Sequence, residues 1–520
     1  MAQLAYTALS NRENSNMTTT AYLLTIDAHD PTGGSGQAAD LATWAALGWR
    51  GTSITTALTA QNSYGVQGVQ AAEVALLRNS LRTLLADGEP AAVKIGMISH
   101  AAVAEEVAQF VEARQCPVVW DPQLASADGS EPWAQAHGGG LAMRLAQRAD
   151  LITANRAEAS ALLDLPAWEM GPPPAAWINA IRSRWLEAGA PHRAVVVKGG
   201  NAWGAHSTDW YITSSTVLPL VSRRLPRSAH GSGSVHASVC AARLAEGWSV
   251  LDAAAEAQLR AHAGIDQAIA AGPGRPNTRT DARADSDDLP WLPLPGQSEE
   301  APPDFARLSG QIGFYPVVPD ADWVLRLLEW GVCTIQLRIK EIEGAELRMQ
   351  IREAVQAARE VPGTQLFIND HWREAIEAGA YGVHLGQDDV HTADLPAIHT
   401  AGLRLGLSTH TPAEIARAHA LRPSYIALGP VFPTTLKAMP YRPLGLERLT
   451  QWRQWLSPRY PVVAIGGISL GQMSAVRATG VSGAAVVSAV TQAVNPRLAV
   501  REALHIWPAC ADEAVAQAMV

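Results

Sequence analysis

The feature that most constrains the fold is a series of eight short apolar segments between residues 312 and 488. Most of the gaps between these segments carry a helical period, as in the stretch 323–330. Strands that alternate with helices build a parallel sheet, because parallel neighbours need a long crossover connection. Eight such units in about 200 residues predict a (β/α)8 TIM barrel at the small end of that fold's size range. The predicted strands are 312–318, 333–339, 365–369, 382–385, 403–408, 424–429, 461–465 and 483–488.

The N-terminal half also alternates between strands and helices, but its pattern changes near residue 210. Before that point, Ala/Leu-rich helical stretches separate the strand-like segments, whereas 210–225 has the pattern of strands without a helix between them. We therefore predict an open, doubly wound α/β sheet. A second barrel is the alternative, and the helix-free stretch disfavours it. The predicted strands are 21–26, 92–95, 118–120, 151–153 and 194–197.

A break in composition separates the two halves. Pro, Gly, Asp and Ser crowd together in 272–304, and such a stretch cannot hold a helix or a strand ladder. The first twenty residues are polar and lack a period, which is typical of a disordered extension. The predicted organisation is an extension at 1–20, a first domain at 21–275, a linker at 276–304 and a barrel at 305–510.

Composition excludes several classes of protein. In the 520 residues, 40 Lys and Arg face 49 Asp and Glu, so the net charge of -9 gives no basic surplus for nucleic acid binding. Four cysteines without a CxxC pair argue against a disulfide scaffold and a zinc ribbon, and they suit a reducing compartment. No apolar run is long enough to span a membrane, and the N-terminus lacks the apolar core of a signal peptide. We expect a cytoplasmic protein.

Polar side chains follow the predicted barrel strands, at the end where barrel enzymes bind their substrates. Strand two ends in Gln336-Leu-Arg338-Ile-Lys340, and alternation places the amide and the two cations on one face, which suits a polyphosphate. Asp370 ends strand three and Asp389 follows strand four, and neighbouring carboxylates suit Mg2+. The alternative is that both aspartates cap the helices that follow them.

Further hydroxyls, a third cation and a glycine pair follow the later strands. Barrels often bind phosphate after strands seven and eight. The polar residues at the strand ends include two groups that can donate hydrogen bonds to anions and one candidate metal site. They include no obvious nucleophile paired with a base. This set of residues therefore favours group transfer with departure of pyrophosphate over hydrolysis. The residues concerned are Asn369, Ser408, Thr434, Thr435, Lys437, Gly467, Val487 and Ser488.

Taken in order, these segments resemble thiamine phosphate synthase across the whole second domain, with Gly382-Val-His-Leu-Gly-Gln-Asp-Asp389 and Ala464-Ile-Gly-Gly-Ile-Ser469 among the matches. The resemblance implies condensation of hydroxymethylpyrimidine pyrophosphate with thiazole phosphate by a dissociative reaction. It implies a pyrophosphate site at Gln336, Arg338, Lys340 and Lys437, a Mg2+ site at Asp370 and Asp389 beside Asn369 and Ser408, and a thiazole phosphate site at Gly467, Val487 and Ser488. Leu436 replaces a threonine that the family usually has before Lys437.

Two glycine-rich turns open helices in the first domain, at 30–36 and 230–234. A Gly-x-Gly turn at a helix N-terminus binds anions and suits phosphoryl transfer. With the segments 55–62, 93–97 and 150–158, these turns resemble hydroxymethylpyrimidine and phosphomethylpyrimidine kinase, of the ribokinase-like fold. The resemblance implies that Gln61, Asp40 and Met97 lie by the pyrimidine, that Lys198, Asn155, Gly231 and Gly233 lie by ATP, and that Glu158 lies near the metal.

This domain departs from the kinase family at positions that carry chemistry. Ser234 stands where the family has a cysteine as its proposed base, and a serine hydroxyl is a poor base near neutral pH. Ala28 and His29 also differ from the family pattern. Positioning and charge stabilisation nevertheless carry most of phosphoryl transfer. His29, His230 and His236 are interpreted as polar packing residues.

Three functions follow from these patterns. The first is a bifunctional enzyme of thiamine biosynthesis that uses Mg2+ and ATP; the second is a synthase with a degenerate kinase-like domain that binds pyrimidine or serves assembly. The third, a non-catalytic ligand sensor, is disfavoured by the intact barrel mouth. The expected partners are small-molecule substrates, with no nucleic acid and no membrane, and the resemblance is compatible with a homo-oligomer.

Overall fold

The computed structural model describes residues 21–123, 140–166, 168, 171–186, 192–200, 204–298, 300, 302–434 and 441–508. The extension predicted at 1–20 lies outside these residues, as do Thr435, Leu436 and Lys437. The chain divides into two compact units between Arg283 and Ala284. Within the described parts, no helix has both the length and the apolar composition needed to cross a membrane.

The first unit is built on a mixed sheet of nine strands, counted over the described residues, in the order β3-β2-β1-β4-β5-β6-β7-β8-β9. The strands from β2 to β7 in this order are parallel, and β3, β8 and β9 add antiparallel edges. All residues of β1 except His29 are buried, as expected for a central parallel strand. The strands are β1 (Tyr22–His29), β2 (Arg50–Asn62), β3 (Gly65–Ala71), β4 (Ala92–Ile95), β5 (Val118–Trp120), β6 (Leu151–Asn155), β7 (Ala194–Lys198), β8 (His206–Ile212) and β9 (Val217–Arg223).

Most helices of this unit connect the parallel strands, and two follow the last strand of the sheet. The first helix of the unit contacts β1, and its Trp44 donates from the indole nitrogen to the carbonyl of Ser238 at 2.8 Å, which joins it to the helix after β9. The helices are α1 (Gly36–Ala46), α2 (Val74–Leu85), α3 (Ala101–Glu112), α4 (Leu141–Arg148), α5 (Arg156–Leu163), α6 (Ala175–Arg184), α7 (Ser232–Ala245) and α8 (Val250–Asp266).

The open α/β sheet predicted for this unit is confirmed, and so are its five predicted strands. The helix-free stretch 210–225 falls on the antiparallel pair β8 and β9. The hairpin of β2 and β3 was not predicted as a pair of strands. Apart from Ile54, Thr56 and Ala57, its residues are half-buried or exposed, so they lack the continuous apolar run that marks the other strands.

The second unit is a closed barrel of eight parallel strands in sequence order, with β10 (Gly313–Val318) pairing with β17 (Gly483–Val486) to complete the ring. The TIM barrel prediction is confirmed, and the predicted strand boundaries fall within two residues of the observed ones. The other strands are β11 (Thr334–Leu337), β12 (Gln365–Asn369), β13 (Gly382–Leu385), β14 (Arg404–Thr409), β15 (Tyr425–Leu428) and β16 (Val462–Ile465).

Amphipathic helices cover the outside of the barrel, and α10 (Gly344–Glu360) illustrates why they form. Its buried residues Leu347, Ile351, Ala354, Val355 and Ala358 recur at helical spacing, and its other face is exposed. The helices are α9 (Ala321–Glu329), α10 (Gly344–Glu360), α11 (Trp372–Ala378), α12 (Gln387–Val390), α13 (Leu395–Thr400), α14 (Pro412–Leu421), α15 (Gly445–Leu456), a 3-10 turn (Leu470–Gln472), α16 (Met473–Ala478), α17 (Ser488–Thr491) and α18 (Pro496–Ile506).

Aromatic side chains fill the centre of the barrel. Tyr315, Phe367 and Tyr425 pack edge to face, with ring centroids 5.1 to 6.1 Å apart. Val317 and Val463 belong to the same interior cluster, with Ile312, Ala427 and Ala485. Two of the three rings carry hydroxyl groups, so the centre of the barrel is polar as well as packed.

Residues in the predicted linker 276–304 contact one unit or the other. The amide nitrogen of Asn277 donates to the carbonyl of Thr32 at 3.0 Å, within the first unit. The backbone nitrogen of Leu292 donates to the carbonyl of Ala416 at 3.0 Å, within the second unit. The proline-rich segment that follows residue 283 thus packs on the barrel.

Candidate active sites

One mouth of the barrel brings cations and carboxylates together. The ammonium nitrogen of Lys340 lies 2.5 Å from Oδ2 of Asp370, and the carboxyl groups of Asp370 and Asp389 are close enough to hydrogen bond. Burial alone would raise the pKa of Asp370, but the ion pair with Lys340 outweighs it and lowers that pKa. Burial and the charge of Asp370 raise the pKa of Asp389. Two carboxyl groups held this close favour the binding of a cation.

The backbone of Asp370 has a left-handed conformation, with φ of 64°, which is uncommon for a residue other than glycine. Its backbone nitrogen donates to the carbonyl of His384 at 3.0 Å, which ties it to β13. A left-handed conformation strains the backbone of a non-glycine residue. Strained residues cluster at functional sites, where the surrounding structure holds them in place. The helix-cap alternative applies to the second carboxylate, because Oδ2 of Asp389 accepts from the backbone nitrogen of Gly386 at 3.2 Å.

The side chains predicted to hold pyrophosphate differ in their exposure. Arg338 and Lys340 are exposed at the mouth, and the guanidinium of Arg338 has no hydrogen-bond partner among the described residues. Gln336 is 3% exposed, and its amide nitrogen donates to the hydroxyl of Tyr315 at 3.1 Å. The buried amide nitrogen of Asn369 lacks a partner within the described part of the chain. An unpaired buried donor is costly, which points to a ligand group there.

Ser408 contacts a histidine that the sequence analysis quoted but did not assign. Nε2 of His384 lies 2.8 Å from the hydroxyl of Ser408, and Nδ1 lies 2.7 Å from the hydroxyl of Tyr425. Burial lowers the pKa of His384 to about 4, so the imidazole is neutral near neutral pH. The available signal was a single histidine in an otherwise apolar strand that faces the barrel interior.

The ends of β16 and β17 carry the predicted phosphate site. Gly467 has φ of 69°, and a β-carbon there would lie about 2.5 Å from the carbonyl oxygens of Phe432 and Pro433, so the turn requires glycine. Val487 and Ser488 follow β17, and Ser488 begins the short helix α17. Thr434 is half-buried, while its predicted partners Thr435 and Lys437 lie outside the described residues.

In the first unit, the two glycine-rich turns lie against each other. A β-carbon on Gly231 would lie within 2 Å of the carbonyl oxygen of Gly34, and one on Gly36 would lie 2.3 Å from that of Ala28, so neither glycine can be replaced without a shift of the backbone. The hydroxyl of Ser234 accepts from the backbone nitrogen of Gly36 at 3.3 Å. The structure thus joins two turns that are about 200 residues apart in the sequence.

A second ion pair lies beside the turn at Gly233. Lys198 lies with its ammonium nitrogen 2.7 Å from Oδ1 of the buried Asp121, a residue to which the sequence analysis gave no role. Asn155 and Glu158 form a capping box at the start of α5, with Asn155 Oδ1 accepting from the Glu158 nitrogen at 2.9 Å. Burial and the charge of Asp121 raise the pKa of Glu158 to about 7, against the opposing effect of Lys198.

A buried network lies behind the predicted pyrimidine site. The ammonium nitrogen of Lys94 lies 2.5 Å from Oδ2 of Asp27 and 2.9 Å from Oδ2 of Asp40, and all three side chains are fully buried. The other oxygen of Asp40 accepts from Ser238 at 2.6 Å. Both oxygens of Asp40 therefore face the core. Met97 is connected to the same network, because its backbone nitrogen donates to Asp27 at 2.8 Å.

His230 lies between Gln61, which was predicted to contact the pyrimidine, and Asp30 of the first glycine-rich turn. Its Nε2 is 2.9 Å from Oδ2 of Asp30 and 2.7 Å from the amide of Gln61. Burial alone would raise the pKa of Asp30, but hydrogen bonds from His230 and Thr32 lower it to about 2. Gln61, His230 and Arg275 line a cavity of about 190 Å³. The sequence analysis had interpreted His230 as a packing residue, and its position in the glycine turn was the available signal.

Comparisons with known proteins match each unit separately. The family model for thiamine monophosphate synthase matches residues 315–490, and that for phosphomethylpyrimidine kinase matches residues 30–279. The thiamine-phosphate synthase of Neisseria meningitidis serogroup A is 56% identical over 203 residues, which is 39% of this chain and 98% of the relative. That of Escherichia coli O157:H7 is 53% identical over 204 residues, which is 39% of this chain and 96% of the relative.

Solved kinase structures are similar to about half of the chain. A pyridoxal kinase from Staphylococcus aureus in complex with AMP-PCP is 24% identical, covers 51% of this chain and 94% of that chain, and has a TM-score of 0.45. The barrel and its sequence matches show that the chain belongs to the thiamine-phosphate synthase family, with a second unit that is similar to phosphomethylpyrimidine kinase.

Proposed function

We propose that the two units catalyse consecutive steps on one pyrimidine. The first unit transfers a phosphoryl group from ATP to hydroxymethylpyrimidine phosphate. The barrel then joins the resulting pyrophosphate ester to thiazole phosphate. The free cysteines among the described residues support a reducing, cytoplasmic setting for this chemistry.

The observation that carries the synthase proposal is the cluster of Lys340, Asp370 and Asp389 beside the exposed Arg338. In the proposed reaction, the bond from the pyrimidine methylene carbon to oxygen breaks, and pyrophosphate leaves with the bonding electrons. The thiazole nitrogen then attacks the methylene cation. Arg338 and Lys340, with Lys437, stabilise the departing negative charge, so no protein nucleophile is required.

Mg2+ fits the carboxylate pair of this cluster. Asp370 and Asp389 supply two oxygen ligands, and Mg2+ in proteins commonly takes one or two carboxylates together with substrate phosphates. No group of three or more His, Cys, Asp or Glu suited to a metal occurs in the described ranges, in keeping with such a partial site. The bound ion would neutralise charge on the departing pyrophosphate. We assign the thiazole phosphate to the turn at Gly467 with Val487 and Ser488.

Arg338→Ala tests the pyrophosphate assignment. We expect the KM for the pyrimidine pyrophosphate to rise about 10- to 100-fold, which is the loss typical of removing a hydrogen bond to a charged group. The KM for thiazole phosphate should change much less. Arg352→Ala, which removes the same charge from the exposed face of α10, serves as the control. Equal increases in both Michaelis constants would contradict the assignment.

In the kinase unit, we propose that Lys198 and the turn at Gly231 and Gly233 hold the phosphates of ATP, with Asn155 and Glu158 nearby. Gln61 and Met97 contact the pyrimidine. Asp40 acts through Lys94 and Asp27, because its own oxygens face the core. The pairing of two glycine turns beside a buried ion pair supports this assignment.

Ser234→Ala tests whether the serine is the kinase base. We expect kcat of the kinase reaction to fall by less than about tenfold, because removal of a general base costs about 100-fold or more and a serine hydroxyl is not one. ADP release measures the reaction, and synthase turnover with supplied pyrimidine pyrophosphate reports on the fold of the same chain. A loss of about 100-fold or more would make Ser234 the proton acceptor.

A further inference from the structure

A chain of hydrogen-bonded side chains crosses the interior of the barrel and ends at Ser408. It begins at Gln336, whose amide nitrogen lies 3.1 Å from the hydroxyl of Tyr315, and the hydroxyls of Tyr315 and Tyr425 are 2.8 Å apart. The hydroxyl of Tyr425 lies 2.7 Å from Nδ1 of His384, and Nε2 of His384 lies 2.8 Å from the hydroxyl of Ser408. These five side chains come from five different strands.

Burial restricts how the hydrogens of this chain are arranged. Tyr315, Tyr425 and His384 are 1%, 0% and 3% exposed, so their hydrogen bonds must be made to protein groups. Each tyrosine has one hydroxyl hydrogen to donate. The oxygen of Tyr315 accepts from Gln336, so its hydrogen goes to Tyr425. With the amide nitrogen of Gln336 facing Tyr315, the reverse direction would leave the hydrogen of Tyr315 without an acceptor among the described residues; it would require the amide to turn its oxygen to that hydroxyl.

The same direction then determines the protonation of the imidazole. Tyr425 donates to Nδ1 of His384, which must therefore be the unprotonated nitrogen. In the neutral ring the hydrogen is on Nε2, and it is donated to the oxygen of Ser408. Ser408 accepts at that position, so its own hydroxyl hydrogen is free to point elsewhere.

We propose that Tyr315, Tyr425 and His384 are positioning residues that hold Ser408 as a hydrogen-bond donor toward the barrel mouth. The acceptor is an oxygen of the anionic group that leaves the substrate. This inference rests on the proposed synthase function. In the other tautomer, Nε2 would accept the hydrogen of Ser408, and the serine would present lone pairs to an anion instead of a hydrogen.

Two substitutions at His384 separate the tautomer from the space that the ring fills. In His384→Gln, the amide nitrogen can stand near the position of Nε2 and keep a donor to Ser408, whereas in His384→Asn it stands near Nδ1. We expect His384→Gln to keep the synthase kcat within about tenfold, and His384→Asn to lose about 100-fold or more, the loss typical of one missing donor at a developing anion. Equal losses, or a larger loss in His384→Gln, would overturn the proposal.

NMR of the 15N-histidine-labelled full chain measures the tautomer directly. The signal that vanishes in His384→Gln identifies His384, and we expect its hydrogen on Nε2 at neutral pH. Tyr425→Phe should populate the other tautomer and lower kcat more than it changes either KM. Tyr381→Phe is the matched control, because its hydroxyl donates to Gln365, outside this chain of contacts, at 2.8 Å.

The outcomes distinguish this inference from the function on which it rests. A wild-type chain without synthase turnover would remove the proposed function. A wild-type chain that turns over but carries its His384 hydrogen on Nδ1 would overturn the inference alone. A Tyr425→Phe variant with an unchanged His384 tautomer and an unchanged kcat would also overturn the inference alone. Kinase turnover by each variant measures the amount of active chain, and circular dichroism with thermal unfolding reports whether the barrel is folded.

Discussion

Asp370→Asn is expected to lower the synthase kcat by about 100-fold or more, while the kinase reaction of the same chain stays unchanged. Asparagine tolerates the left-handed backbone of this position, so the variant removes the charge without adding backbone strain. It leaves Lys340 without its ion-pair partner and leaves one carboxylate, that of Asp389, for a cation. The Mg2+ concentration needed for half-maximal turnover should rise.

The measurement is a Mg2+ titration of thiamine phosphate formation from supplied pyrimidine pyrophosphate. Asp388→Asn is the matched control, since it removes the same charge from an exposed neighbour of Asp389 on α12. An Asp370→Asn variant with a wild-type Mg2+ titration curve would show that the carboxylate pair does not bind the ion.

Lys94→Met is expected to lower the free energy of unfolding by about 3–5 kcal/mol, because it leaves two buried carboxyl groups without their shared cation. Both partners of Lys94 are fully buried, and burial already raises the pKa of Asp40 to about 6 despite the nearby ammonium group. A carboxyl group whose pKa is raised in the folded state destabilises that state as the pH rises. The loss of unfolding free energy caused by Lys94→Met should therefore become smaller as the pH is lowered.

Chemical denaturation of the full chain measures this effect. Arg78→Met is the control, because the ion pair of Arg78 with Glu106 leaves the arginine side chain 53% exposed to solvent, where an ion pair contributes little to stability. The double variant Lys94→Met with Asp40→Asn should recover part of the loss, since it removes one of the stranded carboxylates. A deficit no larger than that of Arg78→Met would contradict the account of this network.

The sequence was sufficient to predict the barrel because its strands are short, mainly apolar and mostly buried runs between helical stretches. Phe367 and Ile368 in β12, for example, are fully buried and lie in an uninterrupted buried strand. The hairpin of β2 and β3 lacks this pattern, since its side chains are mostly half-buried or exposed, and local sequence did not reveal it.

Site residues at the ends of predicted strands could be assigned from the sequence. Contacts between side chains from distant strands could not. Lys340 and Asp370 were assigned from their positions at neighbouring strand ends, and they form an ion pair. The link from Tyr315 to Tyr425 joins residues that are 110 positions apart, and periodicity carries no information about such a pair. The same applies to His230, whose contacts with Asp30 and Gln61 depend on how the two glycine turns meet.

A coupled assay on the purified full chain tests the central claim most directly. Hydroxymethylpyrimidine phosphate, ATP, Mg2+ and thiazole phosphate are supplied in one reaction. In a parallel reaction the pyrimidine pyrophosphate replaces hydroxymethylpyrimidine phosphate and ATP, while Mg2+ and thiazole phosphate are kept. The account predicts thiamine phosphate in both, because the kinase unit works with Ser234 and feeds the barrel. Product in the second reaction alone would contradict an active kinase unit, and product in neither would contradict the synthase site itself.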